Sequence, residues 1–270
     1  MSFWVIVLTC WIGAAVGMAA VWAFSMKVRN VGWVDVAWAG LMAASALFAG
    51  LFGEGDELPR ILVALFGGVW GARLCLHLMH RVLREPEDGR YQAMRAAIGD
   101  SPMRWFLFFQ AQALVVALFA IPFAAAAAAD AEGIEPVMLA AVLVWLFAVG
   151  GETLADRQLD AFRRDPANRG QICRVGLWAW SRHPNYFFEW THWFAYVLLA
   201  WCGPYFWLSL LGPVVMFAFL WRVSGIPWTE AQALRSRGDA YRRYQQEVSA
   251  FFPWPPKAAD PPSSQDTSWR

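Results

Sequence analysis

Residues 104–129 read RWFLFFQAQALVVALFAIPFAAAAAA, a run with one charge at its start and none after it. A helix needs about 20 apolar residues to cross a bilayer, so this run is long enough for one crossing. Other segments share its character, and the seven candidates are 3–26, 31–53, 60–83, 104–129, 137–155, 186–202 and 204–227. The sequence therefore predicts an all-α integral membrane protein with seven transmembrane helices.

The composition argues against an ordinary soluble domain, because 59% of the 270 residues are hydrophobic and they include 18 Trp and 20 Phe. Short connections leave no room for a separate soluble domain, so we expect one membrane domain over 1–257. Its charge-poor half, 1–130, is expected to form a lipid-facing substrate cavity, and 137–257 is expected to hold a cofactor. The tail 258–270 is rich in Pro, Ser and Asp, and we expect it to be disordered.

The basic residues are distributed unevenly between alternate loops. Of the 22 Lys and Arg, only Arg60 falls in a loop on one side of the seven-helix arrangement, while 81–104, 156–183 and the tail after 227 hold most of the others. The positive-inside rule then places the N-terminus outside and the C-terminus in the cytoplasm. The preference for Arg over Lys indicates a GC-rich genome, and hence a bacterial inner (cell) membrane.

Cysteine spacing gives no sign of a metal site. The four cysteines, Cys10, Cys75, Cys173 and Cys202, show no CxxC spacing and lie in or beside apolar segments, so we expect buried thiols rather than disulfides or metal ligands. The net charge of +1 favours no class of partner. We expect membrane lipids and an apolar small molecule that enters from the bilayer, and no nucleic acid.

The stretch 181–186 reads SRHPNY and leads directly into the sixth apolar segment. Pro184 fits the first turn of a helix, where its missing N–H costs nothing. The free backbone N–H groups of that turn, with Arg182 and His183 beside them, predict an anion site for a phosphate or pyrophosphate. The alternative is an interfacial anchor in which Arg182 reaches lipid phosphates.

Three polar residues follow at helical spacing, since Asn185, Glu189 and His192 stand at i, i+4 and i+7. On a membrane helix, such a face must turn towards the bundle interior or a wet cavity. Glu189 gains nothing from a lipid phosphate, so the pattern favours a ligand site over an anchor.

Carboxylates also repeat at the end of the fifth segment, where Glu152, Asp156 and Asp160 stand at i, i+4 and i+8. They could accept hydrogen bonds from ribose hydroxyls or from a carboxamide. Five arginines that could pair with phosphates follow: Arg157, Arg163, Arg164, Arg169 and Arg174. A solvated helix end with i, i+4 ion pairs is the alternative, but Glu152 sits deeper, which favours a ligand role for it and Asp156.

Residues 228–252 are typical of two short amphipathic helices broken at Gly238, with Tyr241, Tyr244, Val248 and Phe251 on one face. This face either packs against the bundle or covers a cofactor, with a tyrosine stacked on it or bonded to it. The pattern leaves both readings open.

Asp35 lies about one turn inside the second apolar segment. A carboxylate there costs several kcal/mol unless it is paired or stays protonated. On the third segment, basic residues recur at helical spacing: Arg73, His77, His80, Arg81 and Arg84. Two readings follow, a structural Asp35–Arg73 pair or a neutral Asp35 that donates a proton.

Four stretches together resemble one family: VGWVDVAW at 31–38, EDGRYQAMR at 87–95, GLW with SRHPNY within 176–186, and YRRY with FP within 241–253. The family is that of bacterial membrane proteins with a steroid 5-alpha-reductase-like C-terminal region, historically a domain of unknown function, DUF1295. The chain also resembles sterol C14 and delta-7 reductases. More distantly it resembles isoprenylcysteine carboxyl methyltransferases, which share an Arg-His-Pro-x-Tyr element.

The resemblance to reductases implies NADPH in the cytoplasmic half. When the reductases' NADPH-binding positions are transferred to this sequence, the residues that would bind NADPH are Glu152, Asp156, Arg174, Arg182, His183, Asn185, Tyr186, Glu189, Tyr241 and Tyr244. In animal steroid reductases, a glutamate early in the second span and a tyrosine after the third hold the enone oxygen. The matching positions here are Asp35 and, loosely, Glu85, which we expect to be catalytic.

The sequence thus favours an NADPH-dependent reductase of a carbon–carbon double bond in an apolar, steroid- or sterol-like enone, with protonated Asp35 as the acid. The alternative is a membrane methyltransferase that uses S-adenosylmethionine. A dinucleotide carries a pyrophosphate, which needs the arginines from Arg157 to Arg182, whereas the methyl donor carries no phosphate. A lipid-binding or assembly factor is a third reading, but it would not require the polar face that begins at Asn185.

Overall fold

The computed structural model describes residues 1–130, 135–201 and 203–257, and the regular elements in this part of the chain are helices. The α-helices, in chain order, are α1 (Phe3–Val28), α2 (Trp33–Phe52), α3 (Glu57–Arg84), α4 (Gly89–Ile98), α5 (Pro102–Ala126), α6 (Glu135–Arg164), α7 (Pro184–Thr191), α8 (Trp193–Leu199), α9 (Phe206–Ser209), α10 (Leu211–Ala218) and α11 (Ile226–Glu247). Two 3-10 turns, Pro166–Asn168 and Gly176–Ala179, follow α6, and a π-helical turn, Phe219–Val223, precedes α11.

Six helical runs among the described residues are long and apolar enough to cross a bilayer. They are Phe3–Val28, Trp33–Phe52, Glu57–Arg84, Pro102–Ala126, Pro136–Arg164 and Phe206–Glu247. Most outward side chains of α1 are apolar, as Trp4 and Val16 illustrate at 61% and 67% exposure. The fold is that of a helical, multi-pass membrane protein.

The predicted sixth span, 186–202, is divided between two short helices. α7 ends at Thr191 and α8 runs only from Trp193 to Leu199, so neither is long enough to cross a bilayer. The structure therefore confirms the apolar helices on either side of this region, and a seventh crossing stays a prediction.

The chain divides into two compact units. The first unit comprises Met1–Phe147 and Trp190–Phe217. The second unit comprises Ala148–Glu189 and the chain from Ala218 onward.

Small residues line the close contact of α2 with α3 in the first unit. A Cβ atom added to Gly67 would lie 2.2 Å from the Cβ of Ala46, and one added to Gly71 would lie 2.9 Å from the Cβ of Ala43. Backbones approach this closely only where side chains are minimal, which is how helices commonly pack in membranes. Glycine is therefore required at both positions.

The lone basic residue predicted for an outer loop has a structural role. Arg60 lies in the first turn of α3, and its guanidinium donates to the carbonyl oxygens of Gly50 (3.0 Å) and Leu51 (2.7 Å). These carbonyls belong to the last turn of α2, where backbone acceptors lack intrahelical partners. Arg60 thus caps α2, which explains its place among acidic and uncharged loops.

Aromatic rings fill the core of the first unit. His192 is fully buried, and its ring stacks on Trp70 at 4.3 Å, with Trp193 4.8 Å away. Phe119 and Phe123 pack on Trp193 from α5. The sequence placed His192 on one face with Asn185 and Glu189, but α7 ends before it, and His192 lies in this aromatic core.

The second unit has its core on α11. The predicted break at Gly238 is confirmed, because its backbone adopts φ 51° and ψ −127°, a conformation that favours glycine. Tyr241, Tyr244 and Val248 are buried together beyond the break. These residues of the predicted apolar face thus lie in the core of this unit, and a cofactor bound against them stays a prediction.

Two of the described thiols are buried, as expected for cysteine in this chain. Cys10 and Cys173 are buried, Cys75 is half-buried, and all three are free. Cys202 lies outside the described residues. The tail 258–270, which was predicted to be disordered, also lies outside them.

Candidate active site

A carboxylate, a phenol and a guanidinium meet at the start of α2. The Tyr91 hydroxyl donates to Asp35 Oδ1 over 2.6 Å, and Arg90 Nη2 donates to Asp35 Oδ2 over 2.7 Å. Tyr91 is 3% exposed, while about a third of the Asp35 side chain remains exposed. Asp35 is therefore an accessible carboxylate whose two oxygens each accept a hydrogen bond.

The loop before α4 holds these partners in place. Asp88 caps α4 by accepting from the Arg90 backbone N–H at 2.9 Å, and it also pairs with Arg81 of α3. Glu87 accepts from the Val31 backbone N–H at 2.7 Å, just before α2. The two acids thus fasten the start of α4 to α2 and α3, which fixes the direction of the Arg90 and Tyr91 side chains.

Electrostatics keep the phenol of Tyr91 protonated. Burial raises the pKa of Tyr91 well above its usual range, and the negative charge of Asp35 raises this pKa further, against the opposing effect of Arg90. The guanidinium of Arg90 also lies 4.7 Å over the Tyr91 ring. Tyr91 is therefore a hydrogen-bond donor throughout the physiological pH range.

A cavity of about 20 Å³ lies beside this cluster. Asp35, Asn30, Arg81 and Asp88 supply its polar lining. Such a volume accommodates roughly one water-sized group. One oxygen atom of a ligand could therefore sit next to Asp35.

The structure adds a partner that the sequence did not predict for this site. Arg90 pairs with Asp35 at 2.7 Å, whereas a proton-donating Asp35 stays a prediction. Glu85 caps the end of α3, pairs with Arg81 at 3.2 Å and has a 57% exposed side chain. Tyr91, not Glu85, is the residue after the third span that contacts Asp35.

In the second unit, α6 and α7 place predicted ligand residues together. Asn185 Nδ2 donates to Asp156 Oδ1 at 3.4 Å, and both side chains are partly exposed. Glu152 and Glu189 are buried on the same two helices, at 4% and 8% exposure. The helices touch at Gly151, where an added Cβ would lie 2.3 Å from the Phe188 ring. This close approach gathers an amide and carboxylates that could bind hydroxyl or amide groups.

Arg182 has a different environment from the one predicted. Its guanidinium donates to Glu230 at 2.6 Å and to the carbonyl oxygens of Gln245 and Val248 at the end of α11. The side chain is only 9% exposed. Its charge is therefore used within the protein, where it caps α11 and neutralises Glu230.

His183 shares the carboxylate of Glu230. Its Nε2 lies 3.3 Å from Glu230 Oε1, and its ring stacks on Tyr186 at 5.2 Å. Burial lowers the pKa of His183, although Glu230 acts in the opposite direction. The His183 ring and the Arg182 guanidinium both contact Glu230. The positive charge of Arg182, which was predicted to bind an anion, is therefore directed into the protein.

The remaining candidates lie in the core or at the surface of the second unit. The Tyr244 hydroxyl donates to the Trp178 carbonyl oxygen at 2.6 Å, and Tyr241 packs beside it. Arg174 pairs with Glu247 and lies 5.0 Å over the Tyr244 ring. The candidates on the surface are Arg157, Arg163, Arg164 and Arg169, which are all exposed.

Comparison with known families gives this geometry a context. Residues 21–248 match the family described as "Protein of unknown function (DUF1295)", which covers most of the chain. The chain belongs to the DUF1295 family. A similar protein, uncharacterized, occurs in Schizosaccharomyces pombe and is 26% identical over 267 residues, covering 86% of this chain and 75% of that protein. No solved structure matches.

Three partner residues in this DUF1295 protein were missed by sequence reasoning. Arg90 and Tyr91 are the partners of Asp35, and Glu230 is the partner of Arg182 and His183. For the first two a signal existed, since the stretch 87–95 carries part of the family resemblance and Asp88 precedes Gly89 as a helix cap would. Glu230 had no such signal, because it stands among several charged residues of α11.

Proposed function

We propose that this protein is a membrane-embedded, NADPH-dependent reductase of a carbon–carbon double bond in an apolar, steroid- or sterol-like enone. The observation that carries the proposal is the hydrogen bond from Tyr91 to Asp35 over 2.6 Å, beside a cavity for about one oxygen atom. A protonated phenol fixed next to a carboxylate, on an apolar helix, suits the polarisation of a substrate carbonyl.

The chemistry needs an acid and a hydride. On substrate binding, the single O–H of Tyr91 would turn from Asp35 to the carbonyl oxygen, while Asp35 stays paired with Arg90 beside it. NADPH supplies the hydride when it is bound. The β-carbon gains that hydride and the α-carbon gains a proton, so the double bond becomes a single bond. General acid help of this kind typically contributes about 10²–10⁴-fold.

The residues of the second unit fit a dinucleotide in their chemistry. Asp156 and Asn185 are partly exposed and could bond ribose hydroxyls or a carboxamide, with Glu152 and Glu189 buried behind them. The exposed arginine Arg157 follows Asp156 directly and could pair with a phosphate. In this proposal Arg182 and His183 position the start of α7, since their own polar atoms bond Glu230.

The proposal includes the finer topology. Seven spans with the N-terminus outside would put the loops 81–104 and 156–183 in the cytoplasm, where NADPH is available. The membrane would be the bacterial inner membrane, and substrate would enter from the bilayer. Attachment of an impermeant thiol reagent to single cysteines placed in these loops, in intact cells and after lysis, tests the orientation.

Thermal unfolding of the purified full-length protein tests the cofactor. NADPH, NADH and S-adenosylmethionine are added side by side, because a ligand that binds the folded state raises Tm by mass action. We expect NADPH to raise Tm, and Asp156→Ala and Asn185→Ala each to abolish the shift. The control is Asp239→Ala, whose carboxylate is exposed and pairs with Arg242. A response to S-adenosylmethionine alone would overturn the reductase in favour of a methyltransferase.

A further inference from the structure

The segment 249–257, SAFFPWPPK, forms an extended strap along the second unit. Its backbone is tied down at four points. The Ser249 carbonyl oxygen accepts from the Arg182 N–H at 2.8 Å, and the Phe251 carbonyl oxygen accepts from Ser181 Oγ at 2.9 Å. The Trp254 N–H donates to the Trp180 carbonyl oxygen at 3.0 Å, and the Lys257 N–H donates to the Glu247 carbonyl oxygen at 2.8 Å. The strap is therefore a fixed part of the unit.

The strap carries one buried ring and two exposed rings. Phe251 is 1% exposed and packs near Phe187 and Trp221. Phe252 and Trp254 are 49% and 69% exposed, and Trp180, bonded to the strap, is 48% exposed. We call Trp180, Phe252 and Trp254 the aromatic patch. Its rings are held outward by a backbone that three prolines make still more rigid.

An outward patch of this kind suits a bilayer interface. Indole combines a large apolar face with an N–H donor, which is why Trp concentrates at the boundary between lipid and water. Because the strap is already ordered, inserting the patch would cost little conformational freedom. An apolar patch held rigidly in water would instead be a liability for aggregation.

The charge of the second unit also favours lipid. Among its described residues, Lys and Arg outnumber Asp and Glu, and Lys257 ends the strap with an exposed ammonium group. Basic groups next to apolar anchors are attracted to anionic lipid headgroups. A protein partner that bound a mainly apolar patch would gain nothing from this excess of positive charge.

We propose that the aromatic patch inserts into the headgroup region of the membrane that the chain spans. The second unit is thereby held at the membrane surface through Trp180, Phe252 and Trp254. This inference does not depend on the reductase chemistry.

Site-specific fluorescence in lipid vesicles tests the proposal. The full chain, with its four cysteines replaced by alanine, receives one cysteine at Trp254→Cys or Phe252→Cys, and an environment-sensitive fluorophore is attached. Gln246→Cys, an exposed position on α11, is the matched control. The vesicles contain phosphatidylcholine and phosphatidylglycerol, with a nitroxide quencher either at the headgroup or deep in the acyl chain.

We expect the headgroup nitroxide to quench the labels at 252 and 254 at least twice as strongly as the label at 246, and the deep nitroxide to quench all three weakly. Two results would overturn the proposal. One is equal lipid quenching at the three positions, with aqueous iodide reaching 254 freely. The other is protection of 254 from both quenchers that disappears as the protein is diluted in the vesicles, which would mean that a second copy covers the patch.

Discussion

The hydroxyl of Tyr91 donates to the carboxylate of Asp35 across 56 positions of sequence, with an oxygen-to-oxygen distance of 2.6 Å. This contact joins the short helix α4 to the first turn of α2. Arg90, the preceding residue, binds the other oxygen of the same carboxylate at 2.7 Å. One charged and one neutral donor thus bind Asp35 from adjacent positions, and burial raises the pKa of Tyr91 so that its phenol stays protonated.

Replacing Tyr91 by Phe removes the proposed acid and keeps the ring. If the reductase assignment is correct, we expect the rate of double-bond reduction to fall by about 10²–10⁴-fold. The Tm shift with NADPH should persist, because the cofactor residues lie in the other unit. Tyr205→Phe is the matched control, since that ring stacks on Phe3. Full activity in Tyr91→Phe would remove the phenol from the mechanism.

The ion pair between Asp35 and Arg90 should show measurable coupling. Both side chains are about one-third exposed, so a double-mutant cycle with Asp35→Asn and Arg90→Gln should give a coupling energy of about 1 kcal/mol. The same cycle on Asp239 and Arg242, which are 81% and 67% exposed, should give a value near zero. Both cycles are measured by unfolding in detergent. Equal coupling energies in the two cycles would mean that partial burial does not strengthen the pair of Asp35 with Arg90.

Local sequence patterns predicted much of the fold. Apolar length predicted α1, α2, α3, α5 and α6, and Gly238 marked the break in α11, because such features depend on neighbouring residues alone. The division at His192 was not predictable in this way. An apolar run has the same composition whether it forms one helix or two, and packing of the His192 ring on Trp70 involves residues far apart in sequence.

The candidate site was only partly predictable for the same reason. Asp35 stood out because a carboxylate in an apolar segment needs a partner, and Arg73 was the cation considered. The contact with Arg90 of α4 joins residues 55 positions apart, which local patterns do not reveal. Arg182 was expected to bind an anion, yet Glu230, 48 positions later, satisfies its guanidinium within the protein. Helix spacing shows which residues share a face, and tertiary contacts decide what that face meets.

The contact between α2 and α3 should tolerate no added methyl group. Gly67→Ala places a Cβ 2.2 Å from that of Ala46, so the helices must separate, at a cost of about 1–3 kcal/mol. The resulting fall in Tm is about 2–4 °C for each kcal/mol. Gly13→Ala, where nothing lies within 4 Å of the new atom, is the control and should leave Tm unchanged or slightly raised. Comparable Tm values for both variants would contradict the packing described for this pair.

Acid should destabilise the second unit through His183. The folded-state pKa of His183 is lowered by burial, with Glu230 and Arg182 facing the ring, so the unfolded chain binds a proton that the folded chain does not. This contribution is absent well above about pH 6.5, the ordinary pKa of histidine, and grows as the pH falls below it. We therefore expect Tm to be flat above pH 7 and to decline towards pH 5.5. His183→Gln, which can still donate to Glu230, should flatten the decline, whereas His80→Gln, at an exposed position, should not. Parallel Tm curves for wild type and His183→Gln would show that another group controls the acid sensitivity.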